Sequence, residues 1–336
     1  MRADDLLVET IEGLLSKEVT PERIHAAEGG MDCALWTLLE DSGLTSVGVA
    51  ESAGGMGGTL HDLGAIVRAA GRHAAPVPIG DTLVAATFLA DRTIPSGPMA
   101  LAVVRNDRSV IRVPWGGAAE HVVAVSDTGI ALHAVDSLAI IGRGENYAGE
   151  PWIDVAPDAL RAGATASKAG TRHAQGAGAF ARAMLLAGAL ERVVDLSVQY
   201  ANEREQFGKQ IGKFQTIQHY LAEMAGEAAA ANGALDTALD VASSSADVEQ
   251  HFLVIAAAKT YAGRAVTTVN RLAHQIHGAI GFTDEHRLQY STRRLWAWRD
   301  EFGSESEWAT VLGRALAADG GDALWPTLTR WPAAVA

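Results

Sequence analysis

Two short runs in the second half of the chain combine residue types suited to a ligand that carries phosphates. Arg204 lies in the run REQFG, and its planar guanidinium presents a fork of donors that matches a pyrophosphate. Phe207 in the same run offers a flat apolar surface to an adenine ring or its surroundings. Further along, the Gln275 amide can donate and accept, and Gly278 lets a ligand approach the backbone closely.

The run RDEFG supplies a candidate catalytic carboxylate in Glu301. The histidines His274, His277 and His286 are candidate metal ligands by type, but no carboxylate–histidine set of zinc-hydrolase type accompanies them. We therefore predict no metal site.

Composition limits the class of protein. The 336 residues exceed what one hydrophobic core usually supports, so we expect two or three domains. No apolar run is long enough for a transmembrane helix, and the acidic start MRADD is unlike a secretion signal. The single Cys33 excludes an internal disulfide, and the net charge of −13 disfavours nucleic acid and anionic membranes as partners. These features predict a cytoplasmic protein.

Proline placement predicts where the long helices lie. No proline occurs between 158 and 325, and a proline inside a helix costs roughly 3 kcal/mol. Apolar residues recur there at spacings of three and four, which is typical of amphipathic helices. We expect a four-helix bundle with helices near 174–203, 214–240, 247–277 and 286–299, followed by a last helix near 304–318.

The first half divides into a helical part and a β-rich part. Stripes beginning at Leu7, Leu35 and Leu60 predict three helices, and Asp81 is a candidate N-cap for a fourth. Runs rich in β-branched residues then predict strands near 100–104, 109–113, 121–125 and 137–141. The fold class is therefore mainly α with a small β-domain. We expect an N-terminal helical domain (1–95), a reduced middle β-domain (96–165) and a C-terminal helical bundle (166–336).

Three motifs in this order resemble the acyl-CoA dehydrogenase superfamily. AESAGGMGG at 50–58 is similar to the family's PExxGGxG loop. REQFG at 204–208 matches its R-x-Q-F-G signature, and QIHGAIGF at 275–282 matches Q-x-x-G-G-x-G-[FY] with Ala279 in place of the second glycine.

The resemblance implies function as well as fold. It implies FAD as cofactor, an acyl-CoA thioester as substrate, α,β-dehydrogenation as reaction, and an electron-transfer flavoprotein as electron acceptor. It also implies cofactor contacts that reach the flavin of a neighbouring subunit. The residues concerned are Arg204, Gln206, Phe207, Gln275 and Gly278.

The chain departs from the family pattern where the flavin ring and the catalytic base belong. The strand motifs of the T-E-P and W-[IV]-[TS] types are missing. The family's spacing places the base at Phe302, and the alternative family position falls on Gly178 and Ala179, so no carboxylate stands at either. Glu301 is one residue early, which on a helix corresponds to a rotation of roughly 100°.

These gaps resemble the heteromeric α2β2 acyl-CoA dehydrogenases of actinobacteria that act on steroid side-chain thioesters. We therefore expect the subunit of a heteromeric enzyme, whose base is either Glu301 or supplied by a second dehydrogenase-like subunit. A self-sufficient homo-oligomer that uses Glu301 is one alternative. A non-catalytic scaffold protein that keeps only the fold is another.

Overall fold

The computed structural model describes residues 3–89, 93–167, 170–244, 248–318, 320–322 and 325. Helices, then two small sheets, then helices follow one another along the chain, which confirms the expected fold class. The division at 95 and 165 stays a prediction, and most of the C-terminal tail assigned to the last domain lies outside the described residues.

Among its described residues, the N-terminal part contains five α-helices: α1 (Asp5–Glu18), α2 (Pro21–Ala26), α3 (Cys33–Asp41), α4 (Leu60–His73) and α5 (Ile79–Thr87). Side chains of Asp4, Thr20, Asp32 and Thr59 cap the first four, because each accepts a hydrogen bond from a backbone N–H in the first turn. The prediction that Asp81 caps a helix is wrong. Helix α5 begins two residues earlier, and the Asp81 carboxylate turns into the protein interior instead.

The β-part consists of two three-stranded sheets. Strands β1 (Met99–Val104), β3 (His121–Ser126) and β4 (Gly129–Ala134) form one sheet, and β2 (Ile111–Pro114), β6 (Pro151–Val155) and β5 (Ile140–Glu145) form the other. Alternate side chains of β1 pack against the second sheet and against the helices, so every residue of β1 is buried. The sequence patterns did not predict β4 and β6, and β5 begins later than expected.

The C-terminal half begins with the short α6 (Pro157–Arg161) and continues, in its described residues, with five longer α-helices. These are α7 (Thr171–Glu203), α8 (Gln215–Ser244), α9 (Val248–His277), α10 (Leu288–Asp300) and α11 (Glu305–Ala318). The predicted bundle helices are confirmed to within a few residues. Helix α7 is central, because it packs against α8, α9 and α10 of the bundle and against α4 and α5 of the N-terminal part.

Glycines bring α4 and α7 into backbone contact. A β-carbon on Gly188 would lie 2.0 Å from the Arg68 carbonyl oxygen, and one on Gly71 would lie 2.2 Å from the Leu185 carbonyl oxygen. Only residues without a side chain permit this approach. The N-terminal helices and the bundle therefore share one continuous core. Within the described ranges, no helix is long and apolar enough to cross a membrane.

Candidate functional site

The REQFG run forms a small projecting hairpin directly after α7. Strands β7 (Glu205–Gln206) and β8 (Lys209–Gln210) pair across a tight turn. Phe207 lies at the tip with a φ of +52°, and its side chain is 92% exposed. The Arg204 N–H donates to the Tyr200 carbonyl, and the Ile211 N–H donates to the Arg204 carbonyl. The hairpin is thus tied to the last turn of α7.

Arg204, Gln206 and Phe207 are all exposed on this hairpin. Within the part of the chain that the structure describes, the Arg204 guanidinium makes no ion pair. The ring of Phe207 meets Phe214 edge to face at a centroid distance of 6.2 Å. An unpaired guanidinium beside an exposed ring is suited to a ligand from outside the chain that carries phosphates and an aromatic group.

The second motif ends α9 at the same end of the bundle. Gln275 lies in the last turn of α9, and Gly278 follows with a φ of +62°; both are exposed. Between them, His277 is buried and its ring stacks on Tyr200 at a centroid distance of 4.5 Å. Because Tyr200 also holds the hairpin, the stack brings the two motifs together, although α8 and most of α9 separate them along the chain.

Phe302 occupies the position at which the family's spacing places the catalytic base. Its φ is +53°, and its ring packs on Gly178 in α7. A β-carbon added to Gly178 would lie 2.3 Å from Phe302 Cδ1. The two positions that the family's spacing assigns to a base are therefore in contact with each other, and an aromatic ring fills the space between them.

Glu301 turns inward from the same loop. Its Oε2 accepts a hydrogen bond of 2.6 Å from Arg182 Nε, and both terminal nitrogens of Arg182 donate to Asp81 at 2.8 and 3.0 Å. Arg182 is fully buried. Burial opposes its charge, but Asp81 and Glu301 raise the pKa of Arg182 above its ordinary value. Glu301 is thus one of two carboxylates that neutralise a buried cation.

A second polar cluster continues this one into the β-part. Asn146 donates from Nδ2 to Glu301 at 2.9 Å and to Glu150 at 3.0 Å. Glu150 is buried, accepts from Trp298 Nε1 at 2.9 Å, and pairs with the buried Arg294 at 3.2 Å. Through Glu301, this cluster connects the N-terminal helices, the sheets and the bundle.

Lys259 fixes the end of α10 from the side of α9. Its buried Nζ donates to the carbonyl oxygens of Trp298, Arg299 and Gly303 at 3.2, 2.5 and 3.0 Å. Burial lowers the pKa of Lys259 to about 7. The three donors of the ammonium match the three carbonyls. The loop that carries Glu301 and Phe302 is therefore held from two sides, by Arg182 and by Lys259.

An apolar cavity of about 380 Å³ lies between the N-terminal helices and the bundle. Apolar side chains from α4, α5, α7 and α9 line most of it, including Leu63, Val84, Phe180 and Phe252. Arg172 and Glu249 lie at its polar edge and form an ion pair. A cavity of this size and lining can hold an apolar group with one polar end.

Sequence reasoning missed the buried charges. Arg182 stands in the apolar run AFARAMLL and Lys259 in the run AAAKTYA, so each is a cation among apolar neighbours. A cation inside an otherwise apolar stretch of a helix signals a buried partner. The partner itself could not be named, since Arg182 and Glu301 are 119 residues apart.

Helices precede and follow the two small sheets, and the exposed hairpin and the second motif lie at the same end of the bundle. The family model described as the acyl-CoA dehydrogenase C-terminal domain matches residues 168–305. The acyl-CoA dehydrogenase IpdE2 of Mycolicibacterium smegmatis is 31% identical over 301 residues, covering 86% of this chain and 91% of that protein. The chain belongs to the acyl-CoA dehydrogenase family, which is FAD-dependent, and the resemblance seen in the sequence is confirmed.

Other relatives and solved structures agree with this assignment. FadE34, an acyl-CoA dehydrogenase of Mycobacterium tuberculosis, is 30% identical over 84% of this chain and 42% of its own length. A variant of the Tcur3481–Tcur3483 steroid ACAD superposes with a TM-score of 0.79 at 24% identity, covering 94% of this chain and 97% of that chain. The ChsE4–ChsE5 complex of Mycobacterium tuberculosis gives 0.78 at 21% identity, with 93% and 96% covered. These two structures show the shared fold.

The residues at the bundle end fit FAD as a group that arrives from outside the chain. Arg204 is exposed and makes no ion pair among the described residues, and Phe207 and Gln275 are also exposed. A pyrophosphate needs such donors, and an aromatic ring needs such a surface. The assignment of Arg204, Gln206, Phe207, Gln275 and Gly278 as cofactor contacts, and of Glu301 as base, stays a prediction.

Proposed function

We propose that this chain is a subunit of a heteromeric, FAD-dependent acyl-CoA dehydrogenase and that its partner subunit supplies the catalytic base. The observation that carries the proposal is the contact between Phe302 and Gly178. A base must lie within hydrogen-bond reach of the proton it removes. Neither position carries a carboxylate, and the packed ring leaves no space for one.

The geometry of Glu301 also supports this proposal over a self-sufficient enzyme. Both of its oxygens are engaged, one by Arg182 and one by Asn146. To remove a proton from a substrate, either oxygen would first have to give up its present hydrogen bond. We therefore propose a structural role for Glu301, in which it holds the loop before Phe302.

The chain's contribution to catalysis is proposed to be its cofactor contacts. FAD, when bound, accepts the hydride that leaves the β-carbon of the acyl group. Arg204 would hold the pyrophosphate, Gln206 and Gln275 would donate and accept beside it, and Phe207 would cover the adenine side. Gly278 would allow the cofactor to approach the end of α9.

The substrate is proposed to be an acyl-CoA thioester with a bulky apolar acyl group, and an electron-transfer flavoprotein is the proposed electron acceptor. One of the structural neighbours is a steroid ACAD, which suggests a steroid side chain as the acyl group. The apolar cavity beside α7 is compatible with such a group in this subunit as well.

The first experiment asks whether the chain needs a partner. The tagged chain is expressed alone and, separately, recovered from its native host with the proteins that copurify. We expect no bound FAD in the chain alone, and a yellow complex with a second dehydrogenase-like subunit from the host. A yellow homo-oligomer that oxidises acyl-CoA by itself would contradict the proposal. A complex that never binds FAD would favour the scaffold alternative.

The second experiment separates a structural Glu301 from a catalytic one. In the complex, Glu301→Gln removes one negative charge from Arg182, and Asp300→Asn is the matched control on an exposed neighbouring carboxylate. We expect Glu301→Gln to lower the unfolding temperature while turnover of folded, FAD-loaded enzyme stays within about threefold. Loss of turnover by about a thousandfold or more, with FAD retained, would instead identify Glu301 as the base.

A further inference from the structure

Three aromatic rings meet where α7 and α9 end, and the cofactor contacts predicted from the sequence include none of them. Tyr200 and His277 are stacked with an angle of 22° between their rings. His286 meets both rings edge to face, with centroids 4.7 Å from His277 and 5.9 Å from Tyr200. We call Tyr200, His277 and His286 the ring cluster.

Each member of the ring cluster lies in a different segment: Tyr200 in the last turn of α7, His277 at the end of α9 and His286 just before α10. The Tyr200 carbonyl accepts the N–H of Arg204 at 2.8 Å and so anchors the hairpin. His277 stands between Gln275 and Gly278. His286 accepts the Leu288 N–H at 3.1 Å, which fixes the start of α10. The three rings are therefore the place where these segments contact one another and are held at fixed distances.

The charge state of His277 suits this role. Its Nδ1 lies 2.8 Å from the Ala273 carbonyl oxygen, which requires a proton on that nitrogen and is satisfied by the neutral ring. The residue is only 4% exposed. His274 and His286 lie near it, and a positive charge on either ring would oppose protonation of His277. A neutral, flat His277 can therefore stack on Tyr200 without the cost of burying a charge.

From this geometry we infer that His277 is a positioning residue for the cofactor: it sets the distance between the Arg204 hairpin and the Gln275–Gly278 turn. The inference rests on the proposed function and extends it. It identifies the residue that keeps the two proposed sets of FAD contacts, on the hairpin and on the turn, at a fixed distance. His277 itself is buried beneath the surface.

The test compares His277→Ala with His277→Phe in the FAD-binding complex. Phenylalanine keeps a flat ring and loses the titratable nitrogens, so it should preserve the stack. We expect His277→Ala to raise the Kd for FAD about tenfold and His277→Phe to stay within about threefold of the natural protein. Equal Kd values for His277→Ala and the natural protein, or equal losses in both variants, would overturn the inference.

A second readout does not depend on the cofactor. Hydrogen exchange of the Ile211 amide, which donates to Arg204, reports whether the hairpin is held. We expect faster exchange at Ile211 in His277→Ala and in Tyr200→Leu, which removes the opposite ring, while amides in the centre of α9 stay protected. Unchanged exchange at Ile211 in both variants would contradict the positioning role. If the natural complex binds no FAD, the proposed function fails, while this readout still decides whether His277 holds the hairpin in place.

Discussion

The ring of Phe302 rests on the backbone of Gly178, so close that a single methyl group on Gly178 would overlap it. Gly178 lies in the first half of α7, and Phe302 lies in the loop after α10. The contact explains why neither position carries a carboxylate, although the two are far apart in the sequence. The ring at position 302 needs a residue without a side chain at position 178.

Gly178→Ala should therefore destabilise the protein, against the usual effect of this change in a helix. Alanine normally improves a helix by up to about 1 kcal/mol, but here the new β-carbon must displace the Phe302 ring. We expect a net loss of about 1–3 kcal/mol, as is typical of overpacking. Urea unfolding of the single variant measures it.

A double-mutant cycle identifies the cause. Gly178→Ala combined with Phe302→Ala should recover most of the loss that the glycine change brings, since the ring is then gone. Gly226 in α8 is the matched control, because a β-carbon added there would have nothing within 4 Å. Gly226→Ala should leave the stability equal or slightly higher. Additive losses in the cycle would show that the two residues do not interact.

Arg204→Ala should weaken FAD binding by the heteromeric complex. A charge-assisted hydrogen bond contributes about 1.5–3 kcal/mol, which corresponds to a rise in Kd of roughly 10- to 150-fold. Arg264 in α9 is an exposed control of the same charge. FAD titration followed by flavin fluorescence gives both values. If Arg264→Ala weakens binding as much as Arg204→Ala does, a general charge effect is the better explanation.

Lys259→Met should loosen the loop that carries Glu301 and Phe302. Methionine fills similar space but leaves the carbonyls of Trp298, Arg299 and Gly303 without their donor. Each buried unsatisfied group costs about 1–3 kcal/mol. The substitution also removes a buried charge, which offsets part of this loss. We therefore expect the free energy of unfolding in urea to fall by about 2–4 kcal/mol. We also expect faster hydrogen exchange at the end of α10. Unchanged exchange there would show that the ammonium is not what holds the loop.

Acidification should destabilise the bundle end through His277. Burial lowers the pKa of His277 from 6.5 to about 4. Between these values the unfolded chain binds a proton that the folded protein does not, so stability is full above pH 6.5 and falls as the pH drops towards 4. The loss due to this group is at most about 3 kcal/mol.

Unfolding at about pH 7 and about pH 4.5, on either side of the ordinary histidine pKa, tests this dependence. His277→Phe should show a smaller drop between the two conditions than the natural protein. The remaining drop belongs in part to His173, His274 and His286, for which burial also lowers the pKa. An identical drop in the variant would mean that His277 does not carry the effect.

The helical bundle was predictable from the sequence, because local features determine it. Between 158 and 325 no proline interrupts the chain, and the apolar spacing marks each long helix. Strands β4 and β6 were missed since GIALHA contains glycine and small residues, and PWIDV begins with a proline, which argues against a strand. Short strands of this kind are defined by their neighbours in the sheet more than by their own composition.

The surroundings of Glu301 could not be predicted in the same way. Its spacing from Gln275 drew attention to residues 301 and 302. Its partners Arg182 and Asn146 come from α7 and from the connection between β5 and β6, which are far away in the chain. The spacing of residues within one segment of the sequence does not show which side chains from distant segments contact it. The exposure of Arg204 and Phe207 agrees with the expectation of a ligand held between chains, although the contacts themselves stay a prediction.

The glycine contacts between α4 and α7 have a consequence for any attempt to divide this protein. Gly71 and Gly188 place two helix backbones against each other with no side chains between them. A fragment that began at residue 168, where the family match begins, would expose the bare backbone groove of α7 and the apolar side chains around it to water. Such a fragment should aggregate or recruit the missing helices when they are added as a separate peptide. We therefore expect that the part of the chain that matches the family model does not fold without the N-terminal helices.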